Sequence, residues 1–566
     1  MKRPSFFFAA LVAALAFAGP ASAGNPFGIR LVRFAHGTSP GEMRAAVASA
    51  GGAVVTDLSA IDALAVASRS PGFAARLAAN RAVVASFEDS AIAGDRRGAE
   101  SNLAPDPWHE LGSFGGVTNP EGILQWDDNR MNVPAAWAAT SGERSVAVAV
   151  LDTGVEAAHR ELRASVDPTL GGNFIPCDLL ARQFGAQVVN AYGLRDCSSG
   201  DKEGHGTWVA SRIAGAANGF ASNGVAPGVR VGSYKVLAAG FGGLSSWILA
   251  GLVDACTAHH VDVVNMSIVG YLNPADSFDA ADYLLFADAV SYCRSMGVAV
   301  FAAAGNEHVR VQRIAMTVGG RALTSVGRVA LDDEGFATAS PGSASLTRYD
   351  LRGMLELPGG VPGVEMVSAT ANAIGAAPPD VPLRWQEHVG ARDQLAYYSN
   401  YGSRIDLAAP GGARRYEIPG YDGGAGDVLY GGWGSFGALS RNGLLCADPF
   451  ASSAFNTACF LFEGQPFGWL QGTSMSSPNA AGVAALVLSA RPGLRGRPTA
   501  LTRRLEQTAK AELTNFMGPN DPDNTAPSLD GTACATGYCH VDQSSAISFA
   551  DAYGAGLVDA GAAVQD

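Results

Sequence analysis

Four runs of β-branched and small apolar residues, at 145–151, 229–236, 261–266 and 298–304, punctuate the middle of this 566-residue chain. Those at 145–151 and 298–304 have no polar residue in their interior, so they must be covered on both faces, as strands inside a parallel sheet are. Helical stretches at 208–217 and 245–259 lie between them. Strands alternating with helices predict an α/β fold, a mostly parallel sheet between layers of helices. In such sheets chemistry collects at the carboxyl ends of the strands.

The first residues read as an address. Lys2 and Arg3 precede an apolar run at 6–17, then Gly19-Pro20 and the small triplet Ala21-Ser22-Ala23. That is the pattern of a secretory signal peptide, residues 1–23, cut after Ala23. The run is too short to span a bilayer and no stretch of about 18 apolar residues follows it. An exported chain without a transmembrane span is expected, extracellular or periplasmic. All eight cysteines follow the cut, and an oxidising compartment makes disulfides the default. Nearness in sequence favours Cys177 with Cys197, Cys446 with Cys459 and Cys534 with Cys539, which leaves Cys256 with Cys293. No C-x-x-C pair signals a zinc site. The net charge of -13 repels a phosphate backbone, so no nucleic-acid partner is expected.

Residues 24–90 have a rhythm of their own. After a strand-like run at 29–34, Ser39-Pro40-Gly41-Glu42 forms a capping box with proline at the first helical position, and Gly51-Gly52 ends that helix. Strand-like runs at 53–58 and 63–68, a helix start at Ser70-Pro71 and a closing strand at 83–87 complete the order βαββαβ, a small α+β ferredoxin-like unit. The pattern then breaks into Pro105, Pro107, Gly115-Gly116 and Asn119-Pro120. An exposed linker open to proteolysis is expected at 91–121, with the main domain at 122–566.

Three segments carry chemistry. Val150-Leu151-Asp152-Thr153-Gly154 ends the first strand of the main domain, where an isolated Asp is ordinarily a turn residue or cap. Gly204-His205-Gly206-Thr207 opens a helix, with glycines leaving the imidazole uncrowded. Gly472-Thr473-Ser474-Met475-Ser476-Ser477-Pro478 puts Ser474 at the mouth of a small-residue helix, where backbone N–H groups point outward. Each is weak alone. Together they supply a nucleophile, a base with a pKa of about 6.5 and a carboxylate to orient that base, which acyl transfer needs. The chain order Asp, His, Ser is that of subtilisin and not of chymotrypsin or the α/β-hydrolases. The three segments resemble the active-site motifs of the subtilisin-like serine proteases, the subtilases.

The resemblance runs from about Gln125 to the C-terminus and implies a subtilisin-like three-layer fold. It implies Asp152, His205 and Ser474 as a catalytic triad. Asn306, in Ala302-Ala303-Ala304-Gly305-Asn306, would donate to the oxyanion beside the Ser474 backbone N–H. Val263-Val264-Asn265-Met266-Ser267 resembles the strand that lines the substrate channel, so Ser267, Ile268, Val269 and Gly270, with Ala304 and Gly305, are expected to bind an extended peptide. Tyr398-Ser399-Asn400-Tyr401-Gly402 resembles a core segment of the family. Residues 24–90 become an inhibitor-like propeptide, and the linker carries its processing site. The implied protein is a secreted, monomeric serine endopeptidase that acts on polypeptides, matures itself and requires no cofactor. A narrow processing protease and a catalytically silent binding protein are the alternatives.

The segments Ser267-Ile268-Val269-Gly270 and Ala303-Ala304-Gly305 contain no acidic residue, which predicts an apolar or aromatic P1 side chain. Trp208 and Asn479 stand where the family often has His, and neither position carries chemistry. The segment 216–226 is short where many relatives bind calcium, so calcium is not signalled there. Asp521, Asp523 and Asp530 read as a solvated acidic loop rather than a calcium site. Insertions at 312–396 and 412–470 are expected to flank the cleft.

Overall fold

The structure, a computed structural model, describes residues 28–92, 125–184, 198–240, 242–257, 261–337, 349–372, 392–396, 398–412, 434–446, 459–511 and 547–565. The expected signal peptide, the linker from 93 onward, Cys197, Cys534, Cys539 and the acidic residues Asp521, Asp523 and Asp530 lie outside the described residues.

The N-terminal unit contains β1 (Ile29–Phe34), α1 (Pro40–Ser49), β2 (Ala53–Leu58), β3 (Ala63–Ala67), α2 (Phe73–Ala78) and β4 (Val83–Glu88). The strands form one antiparallel sheet in the order β2-β3-β1-β4. The capping box closes as expected, with the Ser39 hydroxyl accepting from Glu42 N and the Glu42 carboxylate accepting from Ser39 N. Alternation along the strands splits the unit into two faces. Val32, Phe34, Leu64 and Val66 pack with Met43, Val47, Phe73 and Leu77 of the unit's own helices. Ile29, Leu31, Ala63, Ala65 and Phe87 instead join the core of the main domain.

After β5 (Ala91–Ile92), the main domain contributes β6 (Ala147–Asp152), β7 (Val166–Asn173), β8 (Arg230–Lys235), β9 (Gly243–Leu244), β10 (Val263–Met266), β11 (Gly270–Leu272) and β12 (Ala299–Ala303). Beyond these come β13 (Val311–Val318), β14 (Arg321–Val329), β15 (Leu355–Leu357), β16 (Val364–Asn372), β17 (Arg392–Leu395) and β18 (Leu407–Pro410). Its principal helices are α3 (His205–Ala214), α4 (Ser245–Thr257), α5 (Ser277–Ser295) and α6 (Thr473–Ala490). Eight strands make the central sheet, in the order β17-β16-β12-β10-β6-β8-β7 with β18 also on β16. Only the β16–β17 pairing is antiparallel among these.

Strand β6 explains the unbroken apolar runs. Ala147, Ala149 and Leu151 face one layer, with Trp247 and Leu249 of α4 and Tyr283 and Val290 of α5. Val148 and Val150 face the other, with Trp208 and Ile213 of α3 and Val483 and Leu486 of α6. A polar residue on either face would lose roughly 1.5–3 kcal/mol of burial energy before any desolvation cost.

Cys256 and Cys293 come to disulfide distance and tie α4 to α5, as expected, and so do Cys446 and Cys459. The first closes a sequence separation of 37 residues, worth about 4 kcal/mol in the chain-entropy account. The first insertion builds the hairpin β13–β14, which joins β15 and β11 in a sheet ordered β11-β15-β14-β13. The second adds a three-stranded sheet, Ser435–Ala438, Cys459–Phe462 and Gln465–Leu470, that packs on α3. Among the described residues no helix is long and apolar enough to cross a membrane.

Candidate active site

Asp152 is the last residue of β6 and fully buried. His205 opens α3 immediately after Gly204, whose φ of +113° is a left-handed conformation that glycine adopts without strain. His205 Nδ1 lies 2.8 Å from Asp152 Oδ1. A carboxylate at that nitrogen fixes the Nδ1–H tautomer and leaves Nε2 as the basic nitrogen. The approach demands glycine again at Gly206, where a Cβ would fall 2.2 Å from the Gly154 carbonyl oxygen and 3.0 Å from Asp152 Cβ.

Sequence reasoning passed over Asp201, which braces this pair. Its Oδ1 accepts from Thr153 Oγ1, Glu203 N and Gly204 N, and its Oδ2 from Thr207 N and Thr207 Oγ1. Thr153 Oγ1 in turn accepts from Gly206 N at 2.9 Å. One buried carboxylate thus links the loop after Asp152 to the first turn of the His205 helix. An aspartate four residues before the histidine was the available signal.

Ser474 sits in the first turn of α6, where backbone N–H groups have no acceptor within the helix. Helix α6 packs against α3 and over β10, and β10 is the neighbour of β6 in the sheet. Asp152, His205 and Ser474 therefore gather at the carboxyl ends of adjacent strands. Ser267, just past β10, donates its hydroxyl to the Ser474 carbonyl oxygen at 2.8 Å, and Ser477 Oγ donates to Asn265 Oδ1 at 2.6 Å. Asn306 follows β12 at the same end of the sheet, and its Oδ1 accepts from Thr473 N at 2.9 Å and Thr473 Oγ1 at 3.0 Å. With the carbonyl end of the amide held, its NH2 end has a set direction.

The expected peptide-binding residues divide. Ile268 packs in the core, so it offers backbone only. The Ala304 carbonyl is taken by Asn400 Nδ2 at 2.7 Å, and Asn400 Oδ1 also accepts from Glu307 N and Val309 N. Gly270 borders strand β5. Residues 91–92, expected at the start of an exposed linker, instead pair with the main domain: β5 runs antiparallel to β9, and just before it Ser245 N donates to Ser90 O at 2.9 Å. A Cβ on Gly270 would lie 3.1 Å from Ile92 Cγ2.

The departures from family pattern have structural partners. Trp208 Nε1 donates to the Gly468 carbonyl of the added sheet at 3.2 Å. Asn479 Oδ1 accepts from Arg212, whose buried guanidinium also pairs with Asp127 and Asp128. Glu161, beside the short 216–226 segment, accepts from the backbone of Ala221 and Ser222. Glu365, Asp406 and Glu506 place carboxylate oxygens within 4.8 Å of one another, but Asp406 is already paired with Arg313 and Arg404, which leaves little charge for a cation.

Residues 143–539 match the subtilase family profile. The chain is 26% identical over 390 residues to subtilisin NAT of Bacillus subtilis subsp. natto, a match that spans 69% of this chain and 66% of that protein's length. It is 27% identical over 432 residues to mycosin-3 of Mycobacterium tuberculosis, 72% of each chain. Among solved structures it is similar in fold to fervidolysin from Fervidobacterium pennivorans, with a TM-score of 0.56 at 17% identity over 97% of this chain and 62% of that one. The epidermin leader peptide processing serine protease from Staphylococcus aureus gives 0.55 at 16% identity, over 95% and 97%. With the profile covering more than half of its length, the chain belongs to the subtilase family.

Proposed function

We propose that this protein is a secreted serine endopeptidase that hydrolyses polypeptides through Asp152, His205 and Ser474. The observation that carries the reading is the Asp152–His205 pair, 2.8 Å apart, at the same sheet end as a serine in a helix first turn. His205 Nε2 takes the proton of Ser474 Oγ as the oxygen bonds to the peptide carbonyl carbon. The Asn306 NH2 and the Ser474 N–H hold the oxyanion. His205 then gives its proton to the amine nitrogen, the C–N bond breaks, and water attacks the acyl-enzyme by the same proton path in reverse. Asn306 would contribute about 2.7–4 kcal/mol, a figure that comes from subtilisin.

Residues 24–90 are read as the propeptide of this enzyme and an inhibitor in the same chain, and 1–23 as its export signal. The pairing of β5 with β9, and the approach of Ile92 to Gly270, end the described N-terminal unit beside a segment expected to bind peptide, which supports cleavage of the linker by the enzyme itself. The test is casein hydrolysis together with labelling by a fluorophosphonate. Wild type should do both and Ser474→Ala neither. A wild-type chain that folds, yet neither cleaves casein nor takes the label, contradicts the reading and favours a silent binding protein.

A further inference from the structure

Residues 491–504 hold Arg491, Arg495, Arg497, Arg503 and Arg504 and no acidic residue, in a chain whose 39 basic side chains are outnumbered by 52 acidic ones. A basic run on an acidic protein is a candidate binding surface wherever its charges are not already matched. Arg495 is matched by Asp262 at 2.8 Å, and Arg504 is occupied by the Ala562 and Ala563 carbonyls. Arg497 and Arg503 are exposed and pair with no carboxylate among the described residues. Arg497 immediately precedes helix α7 (Pro498–Thr508), and Arg503 lies in its second turn.

A third guanidinium reaches the same place from another element. Arg294 lies in the last turn of α5, where its Nη2 donates to Thr499 Oγ1 at 2.7 Å and its Nη1 to the Gly363 carbonyl at 2.9 Å. Gly363, at a φ of +93°, leaves room for it, since a Cβ there would fall 2.6 Å from Arg294 Cδ. Arg294 also pairs with no carboxylate among the described residues. Arg294, Arg497 and Arg503 line one cavity of about 360 Å³, completed by Pro498, Thr499 and Ala500. That is within the range of small-ligand sites, about 300–1,000 Å³, and no acidic side chain lines it. Glu506, the carboxyl that Arg503 influences, lies outside the lining and is held above its usual range by burial and by Asp406, with Arg313 and Arg503 opposing. The cavity sits at the amino ends of the strands, because Arg294 precedes β12 and Gly363 precedes β16. Asn306 and the triad residues stand at the opposite, carboxyl ends.

We propose that this cavity binds a phosphate group, either as the free anion or as a lipid head group, with Arg294, Arg497 and Arg503 as its ligands. Planar guanidinium forks match the paired oxygens of phosphate, and a dianion there meets three positive charges that no described carboxylate pairs with. On the face away from the proposed active site, a bound phosphate leaves the peptide groove open. The inference does not rest on the protease reading.

The test uses the full Ser474→Ala chain and two probes at constant ionic strength. Inorganic phosphate is titrated by calorimetry, and vesicles of phosphatidylcholine with or without phosphatidic acid are read by cosedimentation. Saturable phosphate binding without vesicle retention assigns the free anion, and retention by phosphatidic acid vesicles alone assigns the head group; either result supports the proposal. Arg497→Gln combined with Arg503→Gln should weaken that binding at least tenfold. Arg69→Gln combined with Arg81→Gln, the same loss of charge at exposed positions of the N-terminal unit, should leave it unchanged. If the first pair does not fold, protection decides: the probe should slow phenylglyoxal modification of Arg497 and Arg503 more than that of Arg69 and Arg81, read by mass spectrometry on the Ser474→Ala chain. Absence of saturable binding of either probe, equal weakening by both pairs of substitutions, or protection no greater than at Arg69 and Arg81 overturns the proposal.

Discussion

In the proposed mechanism His205 acts as a base at Nε2 only while its other nitrogen keeps a proton, and Asp152 is the residue placed to enforce this. Asp152→Asn keeps the size and the hydrogen bond but can favour the wrong tautomer. It should lower kcat about 10⁴-fold with KM little changed, read by steady-state kinetics; equal kcat would remove Asp152 from the mechanism. Asp201 acts at one remove, by holding the Asp152 loop and the His205 helix turn with five hydrogen bonds. Asp201→Ala should lower kcat about 10²-fold, the scale of a misplaced catalytic group, more than it raises KM. A change confined to thermal stability would make the residue structural only. Asp152, His205, Ser474 and Asn306 were legible in sequence because each sits in a local motif that fixes its own backbone. The hold of Thr473 on the Asn306 amide was not, because it comes from packing α6 beside the end of β12, a contact that no local pattern announces.

At the scale of elements, β6 and its neighbours were readable from their composition, since only a strand covered twice tolerates an unbroken apolar run. The capping box of α1 was equally plain. Residues 91–92 were not, because a two-residue strand has no period of its own and exists here only through β9. Its anchorage is acidic. Asp89 accepts from Ser246 N at 2.9 Å and Ser246 Oγ at 2.5 Å at the start of α4, while Asp282 of α5 accepts from Ser245 Oγ at 2.6 Å. Burial, with a smaller push from Asp282, raises Asp89 to about 8 despite the Ser246 bonds. Burial raises Asp282 to about 7 against bonds from Ser245 and Ser90. Carboxyls raised on docking support the contact fully below their free value near 3.8 and lose that support as pH climbs through 7 to 8. In the uncleavable Ser474→Ala chain, hydrogen exchange across 28–92, corrected for its intrinsic rate, should be slower at pH 5 than at pH 9. Adding Asp89→Asn, which still caps the helix, should shrink that difference; protection that is equal at both pH values in the Asp89 chain would contradict the account.

On the scale of the whole molecule, the N-terminal sheet shares its second face with α4 and α5, through Ile29, Leu31, Ala63, Ala65 and Phe87. It is thus a docked unit that pairs β5 with β9 rather than a bead on a linker. The βαββαβ order was legible because each of its elements is short and sharply punctuated, but the docking was not, since the apolar face that mediates it looks the same in sequence as one turned to its own helices. The central claim is that this docked unit is released by the proposed active site. The direct measurement is N-terminal sequencing of chains starting at Gly24, refolded in purified form without other proteases. Wild type should yield a new N-terminus between residues 93 and 121, and Ser474→Ala should keep Gly24 while folding equally well. Wild type that folds and remains full length, or Ser474→Ala cut at the same place, would contradict it.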